Sequence, residues 1–518
     1  MGEHQVLKAN LLSRSRGLAF VVFCMSADKG YFKPEGGQLN EKSERGLPKR
    51  KENQMPRLMR CNYCGTLQDE PQGAKICVQC GGELTFDTQP VQKGKSYTKA
   101  QLELDQIAAP ADQVVERHLV ITVETPDTVP VEERVGTPSG REPLHFVAVL
   151  DTSGSMMGSK IRAAKEAVRQ AMHRLADGDV FSLVTFTTDV RCPLEARRVD
   201  TGFRRVVESS LQEIEAGGQT ALCGGLELGI QKVLANLEKT NLVLLLSDGR
   251  ANVGETDVET VGRRAMGARS KGVTVSTLGV GYDYNEAMIA NIAIEGGGRF
   301  YHIADASQIA AYLTGELGEV ASLAARNAVV TFNLPAGTGV QTLSAAYPVQ
   351  GNIVSLGDIP AATTLEVVVR VLLPPQPASS RLPIDGVLNY QSPVGNALTT
   401  PLNKVTVRYE KVSLFKPAEG AVRPIVRRVL GHVQASGVLA ASKAATRSLD
   451  EAQRQSEVLL ATMRKYAAPL GEDGEVVDTL SKAKVLLQEI AAPRAEASDV
   501  IKETTHLAMR RHRGTKAF

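Results

Sequence analysis

LHFVAVLDTSGSMMGSK, residues 144–160, sets the reading of the whole chain. Its first eight residues are apolar except for His145 and the closing carboxylate of Asp151. A run of this kind is a strand buried on both faces, as in parallel sheets covered by helices. Outward from it the chain alternates. SKIRAAKEAVRQAMHRLA (159–176) repeats at helical spacing, with Ile161, Ala164, Val168, Met172 and Leu175 on one face. VFSLVTF (180–186) reads as the next strand, followed by helices near 202–215 and 221–238. NLVLLLSDG (241–249) is a second run that ends in a carboxylate. A helix at 257–271, the strand VTVSTLGVG (273–281), a helix at 285–295, the strand RFYHIA (299–304) and a helix at 307–325 complete the series. The alternation predicts a doubly wound α/β domain over 144–325.

Ligands of such sheets bind beyond the carboxyl ends of the strands. There the sequence gathers Asp151-Thr152-Ser153-Gly154-Ser155, the loop Gly217-Gly218-Gln219-Thr220, and Ser247-Asp248-Gly249. Two carboxylates and two or three hydroxyls, without His or Cys, make an all-oxygen set that suits Mg²⁺ or Mn²⁺ with several waters retained. This pattern resembles the von Willebrand factor type A (VWA) domain, whose metal-ion-dependent adhesion site has the form DxSxS…T…D. All five positions stand here as Asp151, Ser153, Ser155, Thr220 and Asp248. The resemblance covers about 144–325. It implies that the two serines and the threonine ligate the metal directly and that the aspartates act mostly through waters. It also implies an open coordination position that accepts a carboxylate from a protein partner. In some family members ligation shifts the last helix of the domain.

Other functions are less well supported by the residues. A chain of 518 residues with 43% apolar and 23% charged residues is globular and too long for one core. A net charge of +3 is too small for a nucleic-acid coat or a polybasic membrane binder, and no apolar run reaches the length of a spanning helix. GSMMGSK (154–160) is one residue short of phosphate-loop spacing, and its Lys160 follows a serine. There is no GxSxG elbow, and LGVGYD (278–283) lacks the third glycine of a dinucleotide fingerprint. His145 and His302 fall in strand patterns and are expected to be structural. Cys223 is expected to be a small buried residue, and Asp189 and Asp283 solvated turn formers. The chain is expected not to be an enzyme.

The flanks add three units. CNYC at 61–64 and CVQC at 77–80 set twelve residues between two CxxC pairs. Two such knuckles complete a tetrahedral thiolate site for Zn²⁺ from Cys61, Cys64, Cys77 and Cys80. The segment 59–86 resembles a zinc ribbon. Residues 1–58 read as a disordered segment or one that precedes the true start, and LAFVVFCMSA (18–27) is only faintly like a signal peptide. The paired thiolates point to a reducing, cytoplasmic setting. VVERHLVITVET (114–125) and six short runs between 328 and 410 alternate like strands, at 328–334, 340–347, 352–359, 364–373, 386–392 and 404–410. They predict a β-sandwich from 100–143 plus 326–411 into which the α/β domain is inserted. Bacterial type A proteins and the inter-alpha-trypsin inhibitor heavy chains look similar in this respect. From 415 to 518 helical stripes appear: Val422, Ile425, Val426, Val429, Leu430 and Val433, then Val458, Leu459 and Met463, then Leu480, Val485, Leu486, Leu487 and Ile490.

The expected function is a metal-dependent protein-interaction scaffold or assembly factor. It would bind an Asp or Glu of a partner protein through Mg²⁺, with the ribbon docking a second component. Two alternatives are an adaptor for a AAA ATPase remodelling machine and an exported adhesin-like or channel-associated protein. The absence of N-x-S/T sequons weighs against the last.

Overall fold

The structure is a computed structural model. It describes residues 96–133, 143–281, 284–445, 447–471 and 473–490, together with the backbone of three short strands. These strands, β1 (Leu58–Cys61), β2 (Leu67–Asp69) and β3 (Leu84–Thr85), form an antiparallel sheet in the order β2-β1-β3. Cys61 closes β1, whereas Cys64, Cys77 and Cys80 lie outside the described residues, as do the expectations for residues 1–57 and for Asp283.

Next come β4 (Lys99–Leu104), β5 (Ala108–Pro110) and β6 (Val115–Glu124). The α/β layer follows: β7 (Leu144–Asp151), α1 (Ser159–Arg174), β8 (Val180–Phe186), β9 (Val190–Arg198), α2 (Thr201–Glu213) and α3 (Leu222–Ala235). Its second half is β10 (Thr240–Ser247), α4 (Val258–Arg269), β11 (Thr274–Val280), α5 (Glu286–Glu295), β12 (Gly297–Ile303) and α6 (Ile309–Ala321). The sheet order is β12-β11-β10-β7-β8-β9, with all neighbours parallel except β9, which runs antiparallel to β8.

The pleat of β7 explains its unbroken apolar run. Phe146, Ala148 and Leu150 pack with α1, α2 and α6, while Val147 and Val149 face α3, α4 and α5. Side-chain caps set where several helices begin. Asp200, Asp257 and Asn285 accept from the backbone N–H of Phe203, Thr260 and Met288 at the starts of α2, α4 and α5. α3 lies unusually close to the sheet. A Cβ at Gly229 would meet Val149 Cγ2 at 2.5 Å, and one at Gly225 would meet Phe186 Cδ1 at 2.5 Å.

The chain then forms β13 (Leu323–Asn333), β14 (Gly339–Thr342), β15 (Val349–Gln350), β16 (Ile353–Pro360), β17 (Thr364–Leu373), β18 (Arg381–Gln391) and β19 (Ala397–Glu410). With the earlier strands these build two sheets, β15-β16-β13-β18-β19-β5 and β14-β17-β6-β4. Both sheets contribute to one core, in which Leu119, Ile121 and Val369 of one join Val330, Leu388 and Val407 of the other. β6 pairs with β17 over ten residues, from Val115↔Leu373 to Glu124↔Thr364. The turn between β16 and β17 holds both ends of the α/β layer. Thr125 N donates to Thr363 O and Ala362 N to Pro126 O, each at 2.9 Å, while Ala361 N donates to Ser322 O at 2.8 Å.

Four helices close the described chain: α7 (Pro417–Gly420), α8 (Arg423–Ala445), α9 (Leu449–Ala467) and α10 (Gly474–Ile490). Leu430, Leu459, Met463 and Leu487 share their core. Ile425 and Val429 of α8 pack on Val120 and Val368 of the four-stranded sheet. Beyond them Arg428 Nε donates to Glu366 Oε2 at 2.8 Å, and His432 Nε2 lies 2.8 Å from Glu366 Oε1. The far end of α8 reaches the α/β layer, where Lys443 Nζ donates to Asn291 Oδ1 at 3.0 Å and pairs with Glu259 at 2.9 Å.

Several local expectations change. β4, β5 and β9 go beyond the strands read from the sequence. The run at 340–347 is a strand only to Thr342, because the Thr342 hydroxyl donates to Ser344 O and Tyr347 O and closes a turn. The last helix of the α/β layer ends at Ala321 and β13 begins at Leu323, with Ser322 alone between them. Val458 and Val485 lie outward, 64% and 55% exposed, while Leu459, Leu486 and Leu487 carry the packing.

Candidate metal and ligand site

The five residues singled out by the sequence meet at the carboxyl ends of β7 and β10. Asp151 is the last residue of β7, and Ser153 and Ser155 lie in the turn leading to α1. Thr220 precedes α3, and Asp248 follows β10. Both carboxylates are fully buried. Ser153 N donates to Asp151 Oδ1 at 2.8 Å, and Ser247 Oγ donates to Asp151 Oδ2. Ser155 Oγ donates to Asp248 Oδ1 at 2.7 Å and lies 3.1 Å from Ser153 Oγ.

Thr220 joins this group through Gly249. A side chain at Gly249 would come within 3.3 Å of both Ser155 Oγ and Thr220 Oγ1. The Thr220 loop is fixed from two directions. Thr220 N donates to Asn252 Oδ1 at 2.8 Å, and Asn252 N returns a bond to Thr220 O at 3.1 Å. Gly154 N donates to Gly218 O at 3.0 Å, which ties the serine turn to the same loop. Gly218 adopts φ +81°, and a Cβ there would collide with Thr187 Oγ1.

Two buried carboxylates lie close together here, with the Lys160 ammonium against Asp248. Burial pushes the Asp151 carboxyl above its usual range, hydrogen bonds from Ser153 and Ser247 oppose that, and the Asp248 charge adds to it. The donor set is hard oxygen throughout: Asp151, Ser153, Ser155, Thr220 and Asp248. Its chemistry fits a divalent ion of the Mg²⁺ or Mn²⁺ type. Among the described residues, no group of three or more His, Cys, Asp and Glu side chains could hold a metal ion; this site combines two carboxylates with hydroxyls instead.

Three contributors were not identified from the sequence. Ser247 was visible only as part of the strand end, yet its hydroxyl orients Asp151. Asn252 carries no sequence signal. Lys160 was seen only as part of an imperfect phosphate loop, yet its ammonium lies 2.5 Å from Asp248 Oδ2. The residues expected to be structural are occupied as such. His145 Nδ1 lies 2.9 Å from Asn236 O and its Nε2 3.1 Å from Ser182 Oγ, while His302 Nδ1 lies 2.7 Å from the Tyr284 hydroxyl. Burial pushes the thiols of Cys192 and Cys223 up to about 11, far from a reactive thiolate. Asp189 is exposed and paired loosely with Arg191.

With fold and site in view, relatives can be compared. Residues 146–315 match the model of the von Willebrand factor type A domain, and the chain carries that domain. The uncharacterized protein YfbK of Escherichia coli (strain K12) is 30% identical over 195 residues, 36% of this chain and 34% of YfbK. Inter-alpha-trypsin inhibitor heavy chain H4 of Sus scrofa is 31% identical over 202 residues, 37% of this chain and 21% of that protein. The chain therefore spans about a third or less of the length of these curated relatives. Among solved structures, the von Willebrand factor type A protein from Catenulispora acidiphila superposes with a TM-score of 0.57 at 16% identity, covering 82% of this chain and 99% of that one. The ArnB paralog VWA2 from Sulfolobus acidocaldarius gives a TM-score of 0.50 at 19% identity, covering 79% and 99%. These identities speak to fold alone, and the superposed part is larger than the α/β layer. VWA domains mediate protein–protein interactions and bind a divalent metal at their adhesion site.

Proposed function

We propose that this protein is a metal-dependent interaction scaffold whose VWA domain binds an acidic side chain of a partner through Mg²⁺. The observation that carries this reading is the pair of fully buried carboxylates, Asp151 and Asp248, joined by the Ser153 and Ser155 hydroxyls and the Thr220 loop at one strand-end surface. Ser153, Ser155 and Thr220 would hold a divalent ion through neutral oxygens, and that ion would supply an electrophilic centre for an anionic ligand. Asp151 and Asp248 would supply negative charge, and they accept hydrogen bonds from Ser153 and Ser155 respectively.

The reading is of a binding protein and not an enzyme. It follows from the donor set, which is two carboxylates and three hydroxyls at one strand-end surface. A reducing, cytoplasmic compartment belongs to the same reading, since the paired CxxC thiolates would have to stay reduced to hold a metal. Cys61, Cys64, Cys77 and Cys80 would hold Zn²⁺ and give the chain a second docking element.

The test is affinity capture from the source cell with Mg²⁺ present, wild type against the double variant Asp151→Ala, Asp248→Ala. A thermal melt checks that the variant is folded. A protein retained by wild type and lost from the folded variant supports the reading and identifies the partner. The same retained set on both baits removes the site from partner binding. Substitution is preferred to chelation because a chelator would also strip the proposed zinc site.

A further inference from the structure

Lys160 reaches from the first turn of α1 to the end of β10. Its Nζ lies 2.5 Å from Asp248 Oδ2, while Asp248 Oδ1 accepts from Ser155. Asp248 is fully buried and the Lys160 side chain is 25% exposed, so the ammonium sits between the oxygen set and solvent. The neighbouring strand end lies beside it: Gly281 follows β11 with φ +72°, and a Cβ there would be in ordinary contact with Lys160 Nζ at 3.5 Å.

We propose that Lys160 is a built-in counter-charge of the adhesion site, one that weakens metal binding and strengthens binding of an anionic ligand to the loaded site. The inference rests on the reading that this site takes a divalent ion. A divalent ion and two carboxylates sum to zero charge. Lys160 raises the sum to plus one. A neutral centre offers an anion little beyond an open coordination position, whereas a centre of net charge plus one also attracts it through space. The same ammonium opposes the arrival of the metal. Lys160 therefore acts as a positioning and charge-setting residue, and its removal moves the two affinities in opposite directions. A purely structural lysine would lower both on removal.

The test uses the full chain and Mn²⁺, with metal binding read by the relaxation of water protons around the ion. Acetate is then titrated onto the loaded protein as a monocarboxylate probe, read as the fall in relaxation when it displaces a bound water. Two neutral variants, Lys160→Met and Lys160→Gln, guard against a folding artefact in either one, and Lys160→Arg keeps the charge. Both neutral variants are expected to bind Mn²⁺ about tenfold more tightly than wild type and to need about threefold more acetate. Lys160→Arg is expected to stay near wild type in both. Mn²⁺ affinity that is unchanged or lower in folded neutral variants overturns the inference, as does an unchanged acetate titration. Failure of wild type and every folded variant to bind Mn²⁺ overturns the adhesion-site reading itself, and the inference with it.

Discussion

At the scale of single residues, Asp151 shows how a binding site strains the fold that carries it. Its carboxyl is pushed up by burial against the hydrogen bonds that favour ionisation. The folded state therefore holds the proton more tightly than the unfolded chain does. Without metal, the stability attached to this group is greatest below the ordinary aspartate value of about 3.9 and declines as pH rises toward the elevated value. At neutral pH the ionised Asp151 is a cost that a divalent ion would offset. Asp151→Asn is thus expected to raise the melting temperature of metal-free protein at pH 7 by about 2–4 °C. The same variant should lose the rise that Mg²⁺ gives to wild type. Calorimetry with and without Mg²⁺ checks both, and a lower metal-free melting temperature for the variant would contradict the argument.

The five oxygen donors could be read from sequence because their chemistry dictates residue type and order. Lys160 could not be assigned a place in the same way. A long side chain reaching from a helix to a strand end leaves no periodic trace, and GSMMGSK suggests a defective phosphate loop more readily than a counter-charge.

At the scale of elements, legibility followed burial. β7, β8, β10 and β11 are buried almost throughout, so their apolar runs announce them. β9 is an edge strand with mostly exposed or half-exposed residues, and it contains Cys192, Pro193 and four arginines or glutamates in place of an apolar stripe. β4 and β5 are short edge strands, and β5 pairs only with β19, far later in the chain. In α9, helical spacing allowed Val458 and Leu459 alike, and only packing against α8 selects Leu459.

The closeness of α3 to the sheet gives a prediction at this scale. Gly229 stands against Val149, and α3 begins at Leu222, two residues after Thr220. Gly229→Val should destabilise the protein by about 1–3 kcal/mol through overpacking. By tilting α3 it should also weaken Mn²⁺ binding, although Gly229 touches no donor. Denaturant unfolding and the water-relaxation signal measure the two effects. A variant that loses stability while keeping full metal affinity would show that α3 does not position the loop.

At the scale of the whole described chain, α8 is the common brace. One end packs on the four-stranded sheet, and the other meets Asn291 and Glu259 of the α/β layer. Glu366 is its electrostatic anchor. Burial would raise its carboxyl, but hydrogen bonds from His432 and Arg428 outweigh that and hold it at about 2. Because the folded value is depressed, the stabilisation is fully present above the ordinary glutamate value of about 4.3 and is lost as pH falls toward 2. Glu366→Gln is expected to cost about 1–3 kcal/mol at pH 7, since it leaves Arg428 with a weaker partner. The gap between wild type and variant should shrink steadily from pH 5 to pH 2. Thermal melts across that range check the sign, and a gap that widens in acid would refute it.

The pairing of β6 with β17 also has a consequence for how the protein is made. Glu124 and its partner Thr364 are separated by 240 residues, and the whole α/β layer is synthesised between them. At typical rates of about 5–20 residues per second, β6 leaves the ribosome about 12–48 s before its partner exists. During that interval β4 and β6 have only each other as sheet partners, and a two-stranded ribbon is marginally stable by itself. The α/β layer has all six of its strands in one continuous stretch and can close its own sheet during the wait. Birth order thus separates the two halves of the fold: the binding layer can mature first, and the sheets that carry it are completed last.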